Sequence, residues 1–329
     1  MLTLPRFDFA APRSLAELRT QLDRDPAGSL LVAGGTDAVP NLKHRLHAPR
    51  TVVHLGRIDD LRGVHEAGGT FRLGALVTLS ELARHPRVRA ALPSLAKAAS
   101  LVAGPQLRNM GTLGGNLCLD TRCTYYNQTA FWREALGYCL KKDGTVCHVV
   151  PAGKRCVAAH SSDTAPVLIT LGAEVTIDGR AGRRTVPVEE FFVPDGIHNN
   201  VLVPGDVVVE IGVPAPEPGW RFGYQKLRPR LAIDFPMLSV AFAARLDGKG
   251  TCTEARLVVS ALAAKPRTIA GLEALRGGPL DEAAIRVLAE TAHKQCHAMT
   301  NIPYDSDYRR DMVPVFVRRA VAEALERTR

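Results

Sequence analysis

Residues 111–163 read GTLGGNLCLDTRCTYYNQTAFWREALGYCLKKDGTVCHVVPAGKRCVAAHSSD, and our interpretation of the whole chain starts from this stretch. It begins with a glycine-rich turn, Gly111–Asn116, and ends with Ser161-Ser162-Asp163, which opens a hydrophobic run typical of a helix. Five of the seven cysteines lie between these two segments, within residues 118–156. We interpret the cysteine-dense loop as an iron–sulfur insert between two parts of one nucleotide site.

The composition is that of an ordinary globular protein. The 329 residues are 46% apolar and 23% charged, which allows a substantial core and two or three domains. The formal charge of +9 is spread along the chain, and no basic patch carries interleaved aromatic residues. Nucleic-acid binding is therefore disfavoured, whereas an acidic protein partner would suit the charge.

The sequence also bears on location. It contains no run of 18 apolar residues, so we expect no membrane span, and the first residues lack the apolar core of a signal peptide. We therefore expect a cytoplasmic protein. In that compartment, clustered cysteines are more often metal ligands or redox thiols than structural disulfides.

Another glycine turn occurs earlier in the chain, and we call it the first glycine turn and Gly111–Asn116 the second. Ser29–Ala33 has the composition of a buried strand, and it leads through Gly34-Gly35-Thr36-Asp37 into a helical pattern. A strand, a glycine turn and a helix together offer backbone N–H groups to a phosphate. Two glycine turns in different lobes would clamp the two phosphates of one dinucleotide, although a tight turn that only needs positive φ remains the alternative. Neither turn is a GxGxxG or a GxxxxGK[ST] motif, which disfavours a Rossmann site or a P-loop kinase.

Capping and periodicity patterns predict the order of elements around these turns. Capping boxes open helices at Ser14–Glu17 and Thr78–Glu81, and apolar spacing predicts helices at Pro93–Val102, Asp281–Ala298 and Val315–Arg327 and a strand at Thr185–Phe192. Pro214–Gly219 is the clearest linker. The predicted fold class is α+β, with one lobe in residues 1–55, a second lobe in 56–215 that carries the insert at 118–160, and a separate sheet-and-helix domain in 219–329.

The spacing of the cysteines leaves their role open. Cys123, Cys139, Cys147 and Cys156 are separated by 15, 7 and 8 residues, and no CxxC pair occurs. Four thiolates suit an iron–sulfur cluster, and zinc also accepts four cysteines but favours CxxC pairs. Plain buried or redox-active cysteines are the third alternative. Cys118, beside the glycine turn, is one thiol more than a cluster needs.

Four motifs together resemble the FAD-binding medium subunits of the xanthine dehydrogenase and carbon monoxide dehydrogenase family. They are Leu31–Asp37, Gly111–Asn116, Ser162–Pro166 and Lys226, and the resemblance covers nearly the whole chain. It implies a two-lobed FAD-binding domain of the vanillyl-alcohol-oxidase (PCMH) type, followed by a C-terminal α+β domain of the CO dehydrogenase flavoprotein type. Most members lack the cysteine-rich insert, which resembles that of the β subunit of 4-hydroxybenzoyl-CoA reductase with its [4Fe–4S] cluster.

The same resemblance implies roles for individual residues. The FAD pyrophosphate would be wrapped by Leu31, Val32, Ala33, Gly34, Gly35, Thr36, Asp37 and Ala38. Phosphate and flavin contacts would be completed by Gly111, Thr112, Leu113, Gly114, Gly115 and Asn116. Val102 would lie against the cofactor, Asp163 would bind its ribityl or adenosine side, Val209 (or Val208) would line the pocket, and Lys226 would approach the flavin ring. The cluster ligands would be Cys123, Cys139, Cys147 and Cys156.

The function implied is electron transfer within a larger molybdenum enzyme. A large subunit with the molybdenum cofactor and a small subunit with two [2Fe–2S] clusters would be partners, in two copies of each of three subunits. Reduced ferredoxin would supply electrons through the [4Fe–4S] cluster and FAD for the dehydroxylation of 4-hydroxybenzoyl-CoA to benzoyl-CoA at molybdenum. The alternatives are the FAD subunit of an oxidative molybdenum hydroxylase, a non-redox zinc-binding scaffold and a stand-alone FAD reductase.

Overall fold

The computed structural model describes residues 2–326, which form three β-sheets covered by helices. The strands of the first sheet are β1 (Asp8–Ala10), β2 (Ser29–Val32) and β3 (Thr51–His54). All are parallel in the order β1-β3-β2, with Thr51 facing both Asp8 and Ser29. The helices that join them are α1 (Leu15–Arg24) and α2 (Ala38–Lys43).

The second sheet is antiparallel and has five strands. They are β4 (Val64–Ala67), β5 (Thr70–Gly74), β6 (Glu174–Gly179), β7 (Gly182–Pro187) and β8 (Val207–Pro214), in the order β4-β5-β8-β6-β7. Its helices are α3 (Leu79–Arg84), α4 (Pro86–Ala91), α5 (Pro93–Ser100), α6 (Pro105–Met110), α7 (Leu113–Leu117), α8 (Ala130–Ala135), α9 (Ala165–Thr170) and α10 (Val188–Phe191). Apolar side chains of β5, β6, β8 and the helices α3, α5 and α9 form one continuous core.

The third sheet is also antiparallel, and two long helices cover it. Its strands are β9 (Trp220–Leu227), β10 (Leu238–Leu246), β11 (Cys252–Ser260) and β12 (Arg267–Thr268), in the order β12-β11-β10-β9. The helices α11 (Glu282–Gln295) and α12 (Ser306–Glu326) bury their apolar faces against it. The three sheets thus lie within residues 8–54, 64–214 and 220–268, and the exact domain boundaries remain a prediction.

Both capping boxes form the expected hydrogen bonds at their N-caps. The amide of Glu17 donates to Ser14 Oγ over 3.1 Å, and the amide of Glu81 donates to Thr78 Oγ1 over the same distance. The Glu17 carboxylate reaches back to the amide of Arg13 at 2.8 Å, one residue before the N-cap. These local signals set the starts of α1 and α3, because a polar oxygen satisfies an otherwise unpaired helix donor.

Three predicted elements differ in the structure. The strand expected over Thr185–Phe192 ends at Pro187, and residues Val188–Phe191 turn into α10. The helix expected from Val315 begins at Ser306 and contains Pro314, and its predicted end, Arg327, lies outside the described residues. A proline disfavours a helix interior, but here its buried neighbours Val313 and Phe316 pack against the sheet and compensate.

The third difference lies in the site. The glycine run predicted as a turn at Gly111–Asn116 contains α7, whose N-cap Thr112 accepts a 3.1 Å hydrogen bond from the amide of Gly115. Gly114 fits because a Cβ there would lie 2.8 Å from Ala75 Cβ and 2.9 Å from its carbonyl oxygen. Close packing on Ala75, the residue after β5, therefore requires glycine inside a helix, which intrinsic propensity disfavours.

Within residues 2–326, no helix has the length and apolar character needed to cross a membrane.

Candidate functional site

A cavity of about 560 Å³ lies where the first two lobes meet the third sheet. Its lining comes from the first glycine turn, the segments before and after α6 and α7, the motif at Ser161–Asp163, and the loop between β9 and β10. It contains the predicted residues Leu31, Val32, Ala33, Gly34, Gly35, Thr36, Asp37, Ala38, Val102, Gly111, Thr112, Gly115, Asn116 and Asp163. Most of the site that sequence reasoning predicted thus lies around one space.

The first glycine turn offers unpaired backbone donors to this cavity. Gly35 has φ of +71°, the left-handed conformation that glycine adopts without strain. Among the residues that the structure describes, no protein acceptor takes the backbone N–H groups of Gly34, Gly35, Thr36 or Asp37. Backbone N–H groups at a cavity require partners, and successive free N–H groups form a site for phosphate oxygens. The turn therefore suits a diphosphate.

Gly34 also sets the distance between the two lobes. A Cβ at this position would lie 1.8 Å from the carbonyl oxygen of Met110, at the end of α6. Any side chain would therefore push the first turn away from Gly111 and the second glycine run. The two lobes can approach this closely because position 34 is a glycine.

Several amides of the second glycine run are already hydrogen-bonded within the protein, so this segment forms part of the cavity wall and is not a set of free donors. The amides of Leu113 and Gly114 donate to the carbonyl oxygens of Val77 and Ala75 at 2.9 Å each, and the amide of Gly115 donates to the N-cap Thr112. Leu113 is fully buried in the core, so it and Gly114 lie behind the cavity and do not line it. Their assignment as direct FAD contacts remains a prediction.

Asn116 joins this wall to the Ser-Asp motif. Its side-chain oxygen accepts hydrogen bonds from Ser162 Oγ at 2.9 Å and from Thr164 Oγ1 at 2.7 Å. The Ser162 hydroxyl in turn accepts from the amide of Ala165 at the start of α9. Two segments that are 46 residues apart in sequence are thereby held together, with Asp163 between them facing the cavity.

The Asp163 carboxylate is buried and paired with residues of β9. Lys226 Nζ lies 2.8 Å from Asp163 Oδ2, and the Tyr224 hydroxyl donates to Oδ1 over 2.8 Å. Lys226 also donates to the carbonyl oxygen of Leu101 at 3.1 Å. Burial raises the pKa of Asp163 and lowers that of Lys226, and the pairing with the other group opposes each shift. The pair is thus a buried link between the third sheet and the cavity.

Lys226 and Val209 are not among the residues that line the cavity. The Lys226 side chain is 1% exposed and is held behind the cavity by Asp163 and Leu101. Val209 packs with Leu18 and Leu22 of α1 in a separate apolar cluster. Neither lines the cavity, so their predicted roles at the flavin are untested.

Sequence reasoning missed two residues that line the cavity, Arg122 and Phe235, and one that lies behind it, Tyr224. Arg122 pairs with the Asp37 carboxylate and lies 4.2 Å above the ring of Phe235, and its Nε is buried without a partner among residues 2–326. Burial lowers the pKa of Arg122 to about 10. Tyr224 was also missed, although strand alternation places it on the same face as Lys226. Arg122 and Phe235 carry no local signal, because only the tertiary fold brings them together.

The four cysteines of the insert line a second, smaller cavity. Cys123, Cys139, Cys147 and Cys156 are buried around about 10 Å³ of free space, together with Tyr126 and Lys141. This is the room of a single water molecule, so a larger group would push the four thiols apart. Within residues 2–326, no three His, Cys, Asp or Glu side chains are arranged closely enough to hold one metal ion.

These four thiols are free of disulfide bonds. None of the seven cysteines, all within the described part of the chain, forms a disulfide. Burial raises the pKa of the Cys123 thiol to about 11, and it also raises that of Cys156. Four converging cysteines match the donor type and number that a four-iron cluster requires. Cys118 lies apart from them and lines the larger cavity.

Comparison with known proteins agrees with this geometry. Residues 5–216 match the FAD binding domain in molybdopterin dehydrogenase, and residues 223–324 match the CO dehydrogenase flavoprotein C-terminal domain. The carbon monoxide dehydrogenase medium chain of Hydrogenophaga pseudoflava is 30% identical over 98% of both chains. The aldehyde oxidoreductase FAD-binding subunit of Escherichia coli is 32% identical over 82% of this chain and 85% of the relative.

A solved structure shows the same fold. The carbon monoxide dehydrogenase of Hydrogenophaga pseudoflava, in a form that lacks the Mo-pyranopterin moiety of the molybdenum cofactor, matches with a TM-score of 0.81 and 29% identity over 99% of both chains. The predicted α+β fold, an FAD-binding domain followed by a C-terminal CO dehydrogenase flavoprotein domain, is confirmed. The chain belongs to the FAD-binding medium subunits of the xanthine and carbon monoxide dehydrogenase family.

Proposed function

We propose that the chain binds FAD in the 560 Å³ cavity and transfers electrons as the medium subunit of a molybdenum enzyme. The observation that carries this proposal is the run of N–H groups at Gly34–Asp37, which have no acceptor within residues 2–326 and lie on the wall of a cavity between two lobes. Such donors suit the pyrophosphate of a dinucleotide. Bound FAD would supply the redox chemistry of this subunit.

The chain's own residues would bind and orient the cofactor. The first glycine turn would hold the pyrophosphate, and Arg122, already beside Asp37, would add a positive charge near it. Val102 and Phe235 would provide apolar contacts on the wall. Asp163, held by Lys226 and Tyr224, would present a fixed acceptor to cofactor hydroxyl groups.

The partners proposed are a large subunit with the molybdenum cofactor and a small subunit with [2Fe–2S] clusters, in two copies of each of three subunits. The similarity to medium chains and FAD subunits of carbon monoxide dehydrogenase, aldehyde oxidoreductase and nicotinate dehydrogenase supports an oxidative molybdenum hydroxylase. In that case, electrons from substrate oxidation at molybdenum would reach FAD through the partner's clusters and leave to an external acceptor.

The cysteine cavity favours a second candidate function. Four buried cysteines around one space have the donor type and number for a [4Fe–4S] cluster, which would have to widen that space. Such an insert resembles that of 4-hydroxybenzoyl-CoA reductase. Electrons from reduced ferredoxin would then pass through the cluster and FAD toward molybdenum for the dehydroxylation of 4-hydroxybenzoyl-CoA. A zinc-binding scaffold is the non-redox alternative for the same four thiols.

The deciding experiment is anaerobic purification with flavin, iron, sulfide and zinc counted per chain. About one FAD, four irons and four sulfides are expected, with iron lost in Cys139→Ser and retained in the matched control Cys252→Ser, a buried cysteine of β11. FAD without iron after anaerobic reconstitution would refute the cluster and leave the oxidative flavin subunit. Zinc in place of iron would favour the scaffold.

Turnover by the assembled enzyme separates the two directions of electron flow. Reduced ferredoxin with 4-hydroxybenzoyl-CoA should give benzoyl-CoA if the reductive candidate is correct, and its rate should fall with ionic strength because the chain carries a charge of +9. No reaction with this pair, but oxidation of an aldehyde or aromatic heterocycle, would instead establish the hydroxylase. A rate of ferredoxin-driven turnover that is independent of ionic strength would refute electrostatic docking of ferredoxin to this chain.

A further inference from the structure

One buried cation of the insert lies between the two cavities. The side chain of Lys141 is 5% exposed, and its ammonium donates to Asp120 Oδ1, Thr121 Oγ1 and the Gly196 carbonyl oxygen at 2.6 Å each. An ammonium has three donors, so this side chain is fully satisfied and fixed in position. Lys141 is held by the fold and is not a solvated surface residue.

Its partners connect the two cavities. Lys141 and Tyr126 line the cysteine cavity, whereas Asp120 lines the FAD cavity. The Tyr126 hydroxyl donates to Asp120 Oδ2 at 2.9 Å, and Lys141 Nζ lies 4.4 Å from the centre of the Tyr126 ring. We call Asp120, Thr121, Tyr126 and Lys141 the dividing wall. Lys141 lines the cysteine side of this wall, and Asp120 lines the FAD side.

The charges of the dividing wall act in opposite directions on any electron carrier beside them. Adding one electron to a group held by four thiolates makes that group more negative. A cation at short range in a poorly solvated wall stabilises the added charge, and an anion destabilises it. Lys141 is 5% exposed and Asp120 is 22% exposed, so the ammonium is the less screened of the two.

We propose that Lys141 raises, and Asp120 lowers, the reduction potential of the carrier held by Cys123, Cys139, Cys147 and Cys156. The proposal rests on the cluster that we propose for this insert. The wall thereby sets the driving force between the cysteine site and the flavin site. Both groups act through their charge, and neither is a ligand of the carrier.

The test is a potentiometric titration of the anaerobically reconstituted chain, followed by visible absorbance and electron paramagnetic resonance. Lys141→Met should lower the midpoint potential by at least a tenfold change in the reduction equilibrium, about 59 mV for one electron. The matched control is Lys142→Met, because Lys142 pairs with Asp143 on the more exposed side of the same loop. It should shift the potential far less, and Lys141→Arg should restore most of the wild-type value.

A second variant, which retains Lys141, is expected to shift the reduction potential in the opposite direction. Asp120→Asn keeps the ammonium but removes its counter-charge, so the potential should rise. Equal potentials in the wild type, Lys141→Met and Asp120→Asn, all with four irons per chain, would overturn the inference while the cluster stands. Wild-type protein without iron after reconstitution would instead overturn the proposed cluster and the inference with it. If Lys141→Met alone loses iron, the other two variants test the inference. A higher potential in Asp120→Asn and a nearly wild-type potential in Lys141→Arg would support it, and an unchanged potential in Asp120→Asn would overturn it.

Discussion

Replacing Lys226 with methionine tests whether this lysine acts on the flavin or on the wall of the FAD cavity. Its ammonium lies 2.8 Å from Asp163 Oδ2 and 3.1 Å from the Leu101 carbonyl oxygen, and the two charged side chains are 1% and 3% exposed. Methionine has a similar length and no charge. Among residues 2–326, the substitution therefore leaves the buried Asp163 carboxylate with the Tyr224 hydroxyl as its one side-chain donor.

The expected loss in the free energy of unfolding follows from removing one partner of a buried ion pair. Such a removal lowers the free energy of unfolding by about 3–5 kcal/mol, because the other charge stays buried and uncompensated. Burial already raises the pKa of Asp163, so protonation of the carboxyl relieves part of that cost. We expect a loss near the lower end, about 3 kcal/mol at pH 7. The double variant Asp163→Asn/Lys226→Met should lose less than the sum of the single losses, since neither charge remains.

The assay is urea unfolding of the apoprotein combined with FAD titration by flavin fluorescence. Because Asp163 lines the cavity and Leu101 precedes the cavity residue Val102, Lys226→Met should weaken FAD binding at least tenfold, about 1.4 kcal/mol. Arg228→Met is the matched control, since Arg228 also donates to the Leu101 carbonyl oxygen, at 3.0 Å, but forms no ion pair with Asp163. It should cost about 1 kcal/mol of stability.

One result would refute this reasoning. If Lys226→Met unfolds within about 0.5 kcal/mol of the wild type, the size of a typical surface substitution, the buried pair does not have the role that its geometry indicates. If the same variant also shifts the flavin absorbance or potential at unchanged FAD affinity, Lys226 contacts the flavin ring, as the family resemblance implies.

Three further outcomes are expected from the structure. His160 is fully buried with a pKa near 3, below its unfolded value of 6.5, so its contribution to stability is complete above pH 6.5 and falls as the pH drops toward 3. From pH 8 to pH 5 this one group should lower the free energy of unfolding by about 2 kcal/mol, and His160→Gln should show a correspondingly smaller drop in urea unfolding. Gly34→Ala should abolish FAD binding measured by fluorescence, because its Cβ would lie 1.8 Å from the Met110 carbonyl oxygen, and unchanged binding would contradict the lobe contact. Asn301→Ala should lower the free energy of unfolding by about 1–3 kcal/mol and should lower the iron retained per chain. The reason is that the Asn301 side-chain amide donates to the Val157 carbonyl oxygen beside the cysteine cavity at 2.5 Å. Full iron retention would show that Asn301 has no part in the cysteine site.

The parts of the site that sequence predicted are those with a local physical cause. The glycines at 34 and 35 follow a strand, and their freedom of backbone conformation and lack of a side chain are visible in the residue type itself. Capping at Ser14 and Thr78 is equally local, since donor and acceptor are three residues apart. These features needed no knowledge of the tertiary fold.

The missed parts depend on contacts that are remote in sequence. The glycine run at 113–117 forms a helix in which Gly114 packs on Ala75. This packing requires a glycine at a position where the intrinsic helix propensity of glycine is unfavourable. Arg122 reaches Asp37 across 85 residues of sequence, and Lys226 reaches Asp163 across 63. Long polar side chains can select among many partners, and only the assembled sheets determine which one is nearest.

The attachment of the insert supports an electron-transfer role over a docking scaffold. Cys123 follows Arg122, which lines the FAD cavity, and Cys156 lies five residues before Ser161, which lines the same cavity. The two ends are tied by paired backbone hydrogen bonds between Arg122 and Ala159, of 2.8 and 2.7 Å. A module that only docks a partner would work on a flexible tether, because its distance from the flavin would not matter. Here the loop is fixed at both ends against the FAD cavity, and this gives the constant separation that electron transfer between the proposed cluster and FAD would require.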